Sequence, residues 1–183
     1  DSAQLVQIFN ASSDATLQAL ELVADQAVAE VRMRDRAPQP DELNDRLISV
    51  AAPWPFVHAV LYADPDGIAR NVVVRHADGA LHADERPVDL VARDWFKFHR
   101  DANPGGQAIF LTDPHESALT GEPVVNFTKA VTLPDGSFAG VVSVLPRRSS
   151  PLVSSKAATS VKVPPTSAAR RAAGDSLIAE SEI

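Results

Sequence analysis

Three Asp-Gly dipeptides, Asp66-Gly67, Asp78-Gly79 and Asp135-Gly136, each stand beside runs of β-branched and aromatic residues. They restrict this chain to a sheet built from hairpins, because tight turns of this kind join antiparallel strands. The first dipeptide separates a predicted strand over Phe56 to Ala63 from one over Ile68 to Arg75, and the second follows that strand at Ala77-Asp78-Gly79-Ala80. The third separates Val124 to Leu133 from Phe138 to Leu145. A parallel sheet needs long crossover connections, and these turns leave no room for them.

Helical periodicity surrounds the hairpins. From Leu5 to Val31 apolar residues recur three and four apart, at Leu5, Ile8, Phe9, Leu17, Leu20, Val23, Ala24, Ala27, Val28 and Val31, which predicts one long amphipathic helix. Ser12, Ser13 and Asp14 are residues that favour caps and mark a candidate internal restart. Asp41 is a candidate N-cap for a second helix, Glu42 to Ala52, stopped by Pro53 and Pro55. Val88 to Arg100 reads as a third helix, followed by Asn103-Pro104-Gly105-Gly106 and a short strand, Ala108 to Thr112. The loop from Asp113 to Pro123 is long and polar, the usual character of a pocket wall. Beyond Pro146 there is no aromatic residue and no sustained periodicity, so residues 147–183 are expected to form a linker or disordered tail, with a frayed helix at Thr166 to Ala173. The folded part is thus expected to be one α+β domain over residues 1–146.

Charge divides the chain at the same place. Its 183 residues carry 17 basic and 24 acidic side chains, for a net charge of −7. Six of the basic and three of the acidic residues lie from Arg147 onward, which leaves 11 basic and 21 acidic before it. A body this acidic is a poor polyanion binder, so no nucleic-acid partner is expected. Without cysteine, thiolate metal sites, disulfides and cysteine nucleophiles are excluded. No apolar run approaches the ~18 residues of a membrane span. The chain opens on Asp1 rather than Met and lacks the pattern of a signal peptide, which reads as an excised or processed segment.

Few residues invite chemistry. No glycine-rich phosphate loop and no Gly-x-Ser-x-Gly elbow is present, so no cofactor is expected, and Asp113, His115, Glu116 and Ser117 lack the setting of a hydrolytic site, as do His99 and Asp101. His76 and His82 flank the second turn and face one another in a hairpin, but two imidazoles alone do not make a zinc site, and no metal is expected. Arg93 followed by Trp95 and Phe96 is the strongest binding candidate. A guanidinium presents a fork of donors suited to a carboxylate, and adjacent aromatics exclude water. The alternative is structural, with Arg93 paired to Asp89 or Asp94 and the rings in the core. Lys129 shares a strand face with Phe127 and Val125, as an edge charge or a pocket cation. Phe110 with Thr112, and Asn126 with Thr128, set polar groups among apolar ones, either to orient a ligand or to bond neighbouring backbone.

Four segments in order, Arg93-Asp94-Trp95-Phe96, Ile109-Phe110-Leu111-Thr112-Asp113-Pro114, Ser117-Ala118-Leu119-Thr120-Gly121 and Asp135-Gly136-Ser137-Phe138-Ala139-Gly140-Val141-Val142, resemble the Cache (PDC-type, PAS-like) sensor domains of bacterial diguanylate cyclases, sensor histidine kinases and chemoreceptors. The resemblance covers residues 5 to 146 in layout and about 60 residues in motif. It implies a PAS-like antiparallel sheet with a long N-terminal helix, a single Cache module, and a place in the periplasmic part of an inner-membrane receptor. It also implies a small-molecule ligand lined by Arg93, Trp95 and Phe96, with Lys129 standing where many relatives have Arg. If Arg93 and Lys129 both face the pocket, the ligand is a small organic anion such as a carboxylate. In the amino-acid-sensing subgroup a Tyr and an Asp occupy the places of Val88 and Leu145, so the resemblance does not extend to that subgroup. The expected function is therefore a sensor domain rather than an enzyme, with a homodimer through the N-terminal helix as a possible assembly. A small hydrolase around Asp113 to Ser117 and a ligand-free dimerisation module stay open beside it.

Overall fold

The computed structural model describes residues 2–33, 40–103, 108–117, 119, 121 and 123–147, with residues 2–13 and 40 described by their backbone alone. The predicted tail beyond Arg147 lies outside the described residues. Helix α1 (Ser2–Met33) is one continuous helix, so Ser12, Ser13 and Asp14 do not restart it. These residue types cost only tenths of a kcal/mol in a helix interior, and packing further along outweighs that. Leu20, Val23, Ala24, Ala27, Val28 and Val31 form the buried stripe that the periodicity predicts. Helix α2 (Pro40–Ala51) begins one residue before the expected cap. Proline suits a first helical turn, and Asp41 and Glu42 there face the positive end of the helix dipole.

The strands are β1 (Val57–Ala63), β2 (Ile68–Arg75), β3 (Leu81–Asp84), β4 (Val88–Asp89), β5 (Ile109–Leu111), β6 (His115–Glu116), β7 (Pro123–Val124), β8 (Phe127–Thr132) and β9 (Phe138–Pro146). Seven of them form an antiparallel sheet in the order β3-β2-β1-β9-β8-β5, with β4 paired to the start of β2. All three Asp-Gly dipeptides sit in the hairpin turns. β6 and β7 pair only with each other, as a separate ribbon.

Two sequence expectations are corrected. Val88 to Arg100 is not a single helix: Asp89 Oδ1 accepts the Val91 N–H, Leu90 N donates to Gly67 O, and the helix is confined to α3 (Asp94–Lys97), continued by a π-helical turn over Phe98–Ala102. Val124 to Leu133 is not a single strand either. The Asn126 backbone exchanges bonds with Thr112, whose N–H it accepts and whose Oγ1 receives its own N–H, and the chain there steps from ribbon to sheet.

Both faces of the sheet are covered, which explains why β1 and β9 read as nearly continuous apolar runs. On one face α1 and α2 pack against Val60, Tyr62, Val73, Phe127, Val131, Val142 and Val144. On the other, Leu90, Trp95 and Phe96 close over Leu61, Val72, Val141 and Leu145. Arg75 ties the edges together by donating to the carbonyls of Ala51, Trp54, Val57 and Gly79. α1 lies along β8, with Asp25 bonded to Lys129 and Arg32 bonded to Thr132. Seven residues of helix and three of strand cover the same ~10 Å. The earlier turns of α1 and the end of β9 consequently lie towards the same end of the sheet.

Candidate functional site

The face of the sheet opposite α1 carries a small cavity. Its floor is Leu61 and Leu145 on the central strands, one wall is Val88, Leu90, Arg93 and Trp95, and the other is His115, Ser117, Leu119 and Val124 with Asn126 between them. Its free volume is about 20 Å³, room for about one water molecule.

Arg93 is placed by the turn that replaces the expected helix. Its N–H bonds Leu90 O, and its own carbonyl receives the N–H groups of Phe96 and Lys97. The guanidinium is half-buried and forms no ion pair with Asp89 or Asp94; among the described residues it has no hydrogen-bond partner. Trp95 is buried to 3% exposure, and its Nε1–H has no acceptor. Asn126, at 5%, gives its Nδ2 to Ser143 Oγ at 2.8 Å and leaves Oδ1 without a donor. Arg93, Trp95 and Asn126 thus line one space, and the last two each carry a buried polar atom without a hydrogen-bond partner. An unmet buried polar group of this kind costs about 1–3 kcal/mol.

The other expected residues are placed apart from the cavity wall. Phe96 is fully buried behind Trp95, edge-on to it at 6.3 Å and to Phe138 at 5.9 Å. Phe110 packs on Phe98 with ring centroids 5.0 Å apart. Thr112 is a buttress: its hydroxyl receives the Asn126 N–H at 2.9 Å and sits 3.3 Å from His115 Nδ1, which also reaches Asp113 O at 3.1 Å. Lys129 is on the wrong face for a pocket cation. One strand step separates each neighbour by half a turn, so Asn126 faces the cavity while Phe127 and Lys129 face α1, where the Lys129 ammonium is paired with Asp25. Lys129→Met is accordingly expected to change stability by about 1 kcal/mol or less, measured by urea unfolding, and to leave any ligand response intact.

Several wall residues carry no signal in the sequence. Leu90 and Leu119 lie in irregular segments, and His115 and Ser117, which invite a catalytic reading in the sequence, stand in the cavity wall. Ser117 Oγ receives the Leu119 N–H at 3.1 Å. Val88 and Leu145, which replace the Tyr and Asp of the amino-acid-sensing subgroup, are both in the wall. His76 and His82 do face one another, with ring centroids 4.5 Å apart. Among the described residues no group of three potential metal ligands occurs.

In the π-helical turn that continues α3 stands His99, 1% exposed. Thr128 Oγ1 donates to Phe110 O at 3.0 Å, which leaves it to accept from His99 Nε2 at 2.9 Å, while Asn103 Nδ2 stands 3.3 Å from Nδ1. Burial pushes the imidazole pKa down to about 4, against a smaller upward effect of the bond to Thr128.

No protein-family model and no curated protein matches this chain. Solved structures do. A domain of a sensory box/GGDEF family protein from Vibrio parahaemolyticus is similar with a TM-score of 0.63 at 14% identity, over 79% of this chain and 58% of that one. The extracellular domain of the histidine kinase rpHK1S-Z16 follows at 0.60 and 23%, over 77% and 55%. That of the histidine kinase vpHK1S-Z8 gives 0.56 and 15%, over 79% and 53%. The chain thus spans little more than half the length of each. Among the described residues no helix is long and apolar enough to cross a membrane. By its helix order, its antiparallel sheet and these likenesses, the chain has an α+β, PAS-like fold, the fold of the three domains just named.

Proposed function

We propose that this chain is the extracytoplasmic ligand-binding domain of a membrane signal-transduction receptor and that it senses a small organic anion. The observation that carries the reading is the cavity itself: Trp95 and Asn126, each with a buried polar atom that has no partner, line it together with Arg93, whose guanidinium has no partner among the described residues. A folded protein keeps such groups unmet where a ligand supplies the missing bonds. A carboxylate satisfies both Arg93 and the Trp95 N–H. The likeness to extracellular domains of receptors supports the setting. Strand β8 offers the route outward, since it carries Asn126 on the cavity side and Lys129, bonded to α1, on the other. A ligand acts through this strand only by its different affinity for two arrangements of it. Admission of an organic acid requires the β6–β7 ribbon, which pairs only with itself, to yield.

The test is thermal unfolding with acetate, propionate, lactate and succinate. A ligand that binds only the native state at a hundred times its Kd adds about 2.7 kcal/mol. Arg93→Ala is expected to abolish the shift. Trp95→Phe removes the unpaired donor, so it is expected to leave the ligand-free protein as stable as before or more so, and still to lose most of the response. A merely structural Trp95 gives the opposite pattern, lower stability with the response retained. The small free volume favours a second reading, a ligand-free dimerisation module. Absence of any shift across the panel, with a dimer by sedimentation, establishes that reading instead.

A further inference from the structure

Resting on the reading of this cavity as an anion site, we infer that its ligand is a short 2-hydroxy monocarboxylate and not an α-amino acid. Among the described residues no Asp or Glu lines the cavity, and Arg93 is its one guanidinium. That cation matches a single carboxylate, and Trp95, in the same wall, carries a buried N–H without an acceptor. For a second carboxylate the lining offers no further Arg or Lys, only His115 and Ser117 in one wall beside the apolar Leu61, Val88 and Leu145. An α-ammonium group meets the same difficulty with the opposite sign. It is buried beside a positive guanidinium with no counter-ion, and burial of an unpaired charge is strongly unfavourable.

A hydroxyl has no such difficulty. With Asn126 Nδ2 committed to Ser143 Oγ, the orphaned Oδ1 needs a donor, and a 2-hydroxyl is one. Should the amide turn over, Ser143 donates to the oxygen and the hydroxyl accepts from the NH₂, so a hydroxyl fits either orientation. An ammonium only donates. Once the ribbon has yielded, the remainder of the ligand meets the apolar side chains of Leu61, Val88 and Leu145.

Racemic lactate, alanine and propionate separate these chemistries, because they share three carbons and one carboxylate and differ only at the 2-position. By titration calorimetry on the intact chain, lactate is expected to bind about tenfold or more tightly than either of the others, since propionate leaves Oδ1 without a donor and alanine brings a buried charge without a counter-ion. Asn126→Asp supplies a counter-ion and is expected to reverse the order of lactate and alanine; should that variant not fold, the series on the unaltered chain decides. Alanine or propionate binding as tightly as lactate overturns the inferred ligand class while the anion site stands. Binding of succinate alone does the same. No binding by any of these acids overturns both.

Discussion

Gly140→Ala is expected to unfold most of the domain at room temperature, with a loss of about 3–5 kcal/mol from the combined cost of backbone strain and overpacking. Gly140 lies in β9, at the centre of the sheet, with φ of +120°. A Cβ built there stands 2.2 Å from the carbonyl oxygen of Ala63 and 2.7 Å from the ring of Tyr62. Neither neighbour has anywhere to go. The Ala63 backbone is held in the ladder between β1 and β9, and the Tyr62 hydroxyl donates to Ala139 O at 2.6 Å. The pairing of β8 with β9 shifts at this point, so the glycine serves an irregularity that bends the central strand. Gly136 supplies the control. It has φ of +84° in the exposed β8–β9 turn, with no atom within 4 Å of a built Cβ, so Gly136→Ala meets conformational strain alone and is expected to cost about 1 kcal/mol. Urea unfolding of both variants separates the two effects. Equal, small losses refute the packing argument, because the neighbours of Gly140 would then have to move freely.

The three Asp-Gly turns were legible because a tight turn has few residues that satisfy it. The buried stripe of α1 was legible because helical spacing alone specifies a face, as it does from Leu20 to Val31. Arg93 and Trp95 reach the cavity, but for reasons invisible in a periodicity: the Asx turn at Asp89 and the bond from Leu90 to Gly67 O displace the helix that the apolar spacing predicts. Lys129 shows the opposite case. Strand parity places it with Phe127 and opposite Asn126, and that was readable from the sequence; which of the two faces holds the cavity was not, so an edge charge and a pocket cation both stayed open. The structure follows parity, because a strand held on both sides by β5 and β9 cannot turn one side chain over. His115, Ser117 and Leu119 were not legible as cavity wall, since a ribbon of two-residue strands has no pattern long enough to show a face.

Acidification is expected to weaken the fold through one buried imidazole. In the unfolded chain His99 titrates near its ordinary value of 6.5, whereas in the fold burial holds it down to about 4. Between those values the unfolded chain binds the proton and the folded one does not, so stability rises with pH across this window. The contribution is fully present above about pH 6.5 and is lost progressively as pH falls to about 4. Near pH 4 the loss approaches about 3 kcal/mol, from 1.36 kcal/mol per pH unit. Protonation also removes the acceptor at Nδ1 that faces Asn103 Nδ2, and so strains the π-helical turn that carries His99. His99→Gln keeps a donor for Thr128 without a titrating ring. Its urea-unfolding free energy is expected to be lower than that of the parent at pH 7 and to lack this share of the slope between pH 6.5 and 4. The two curves consequently converge on the acid side. His76, His82 and His115 are unchanged in both proteins, so their contributions cancel in the difference, as do those of the carboxylates. Parallel curves across the window contradict a buried, neutral His99, whatever the absolute stability of either protein.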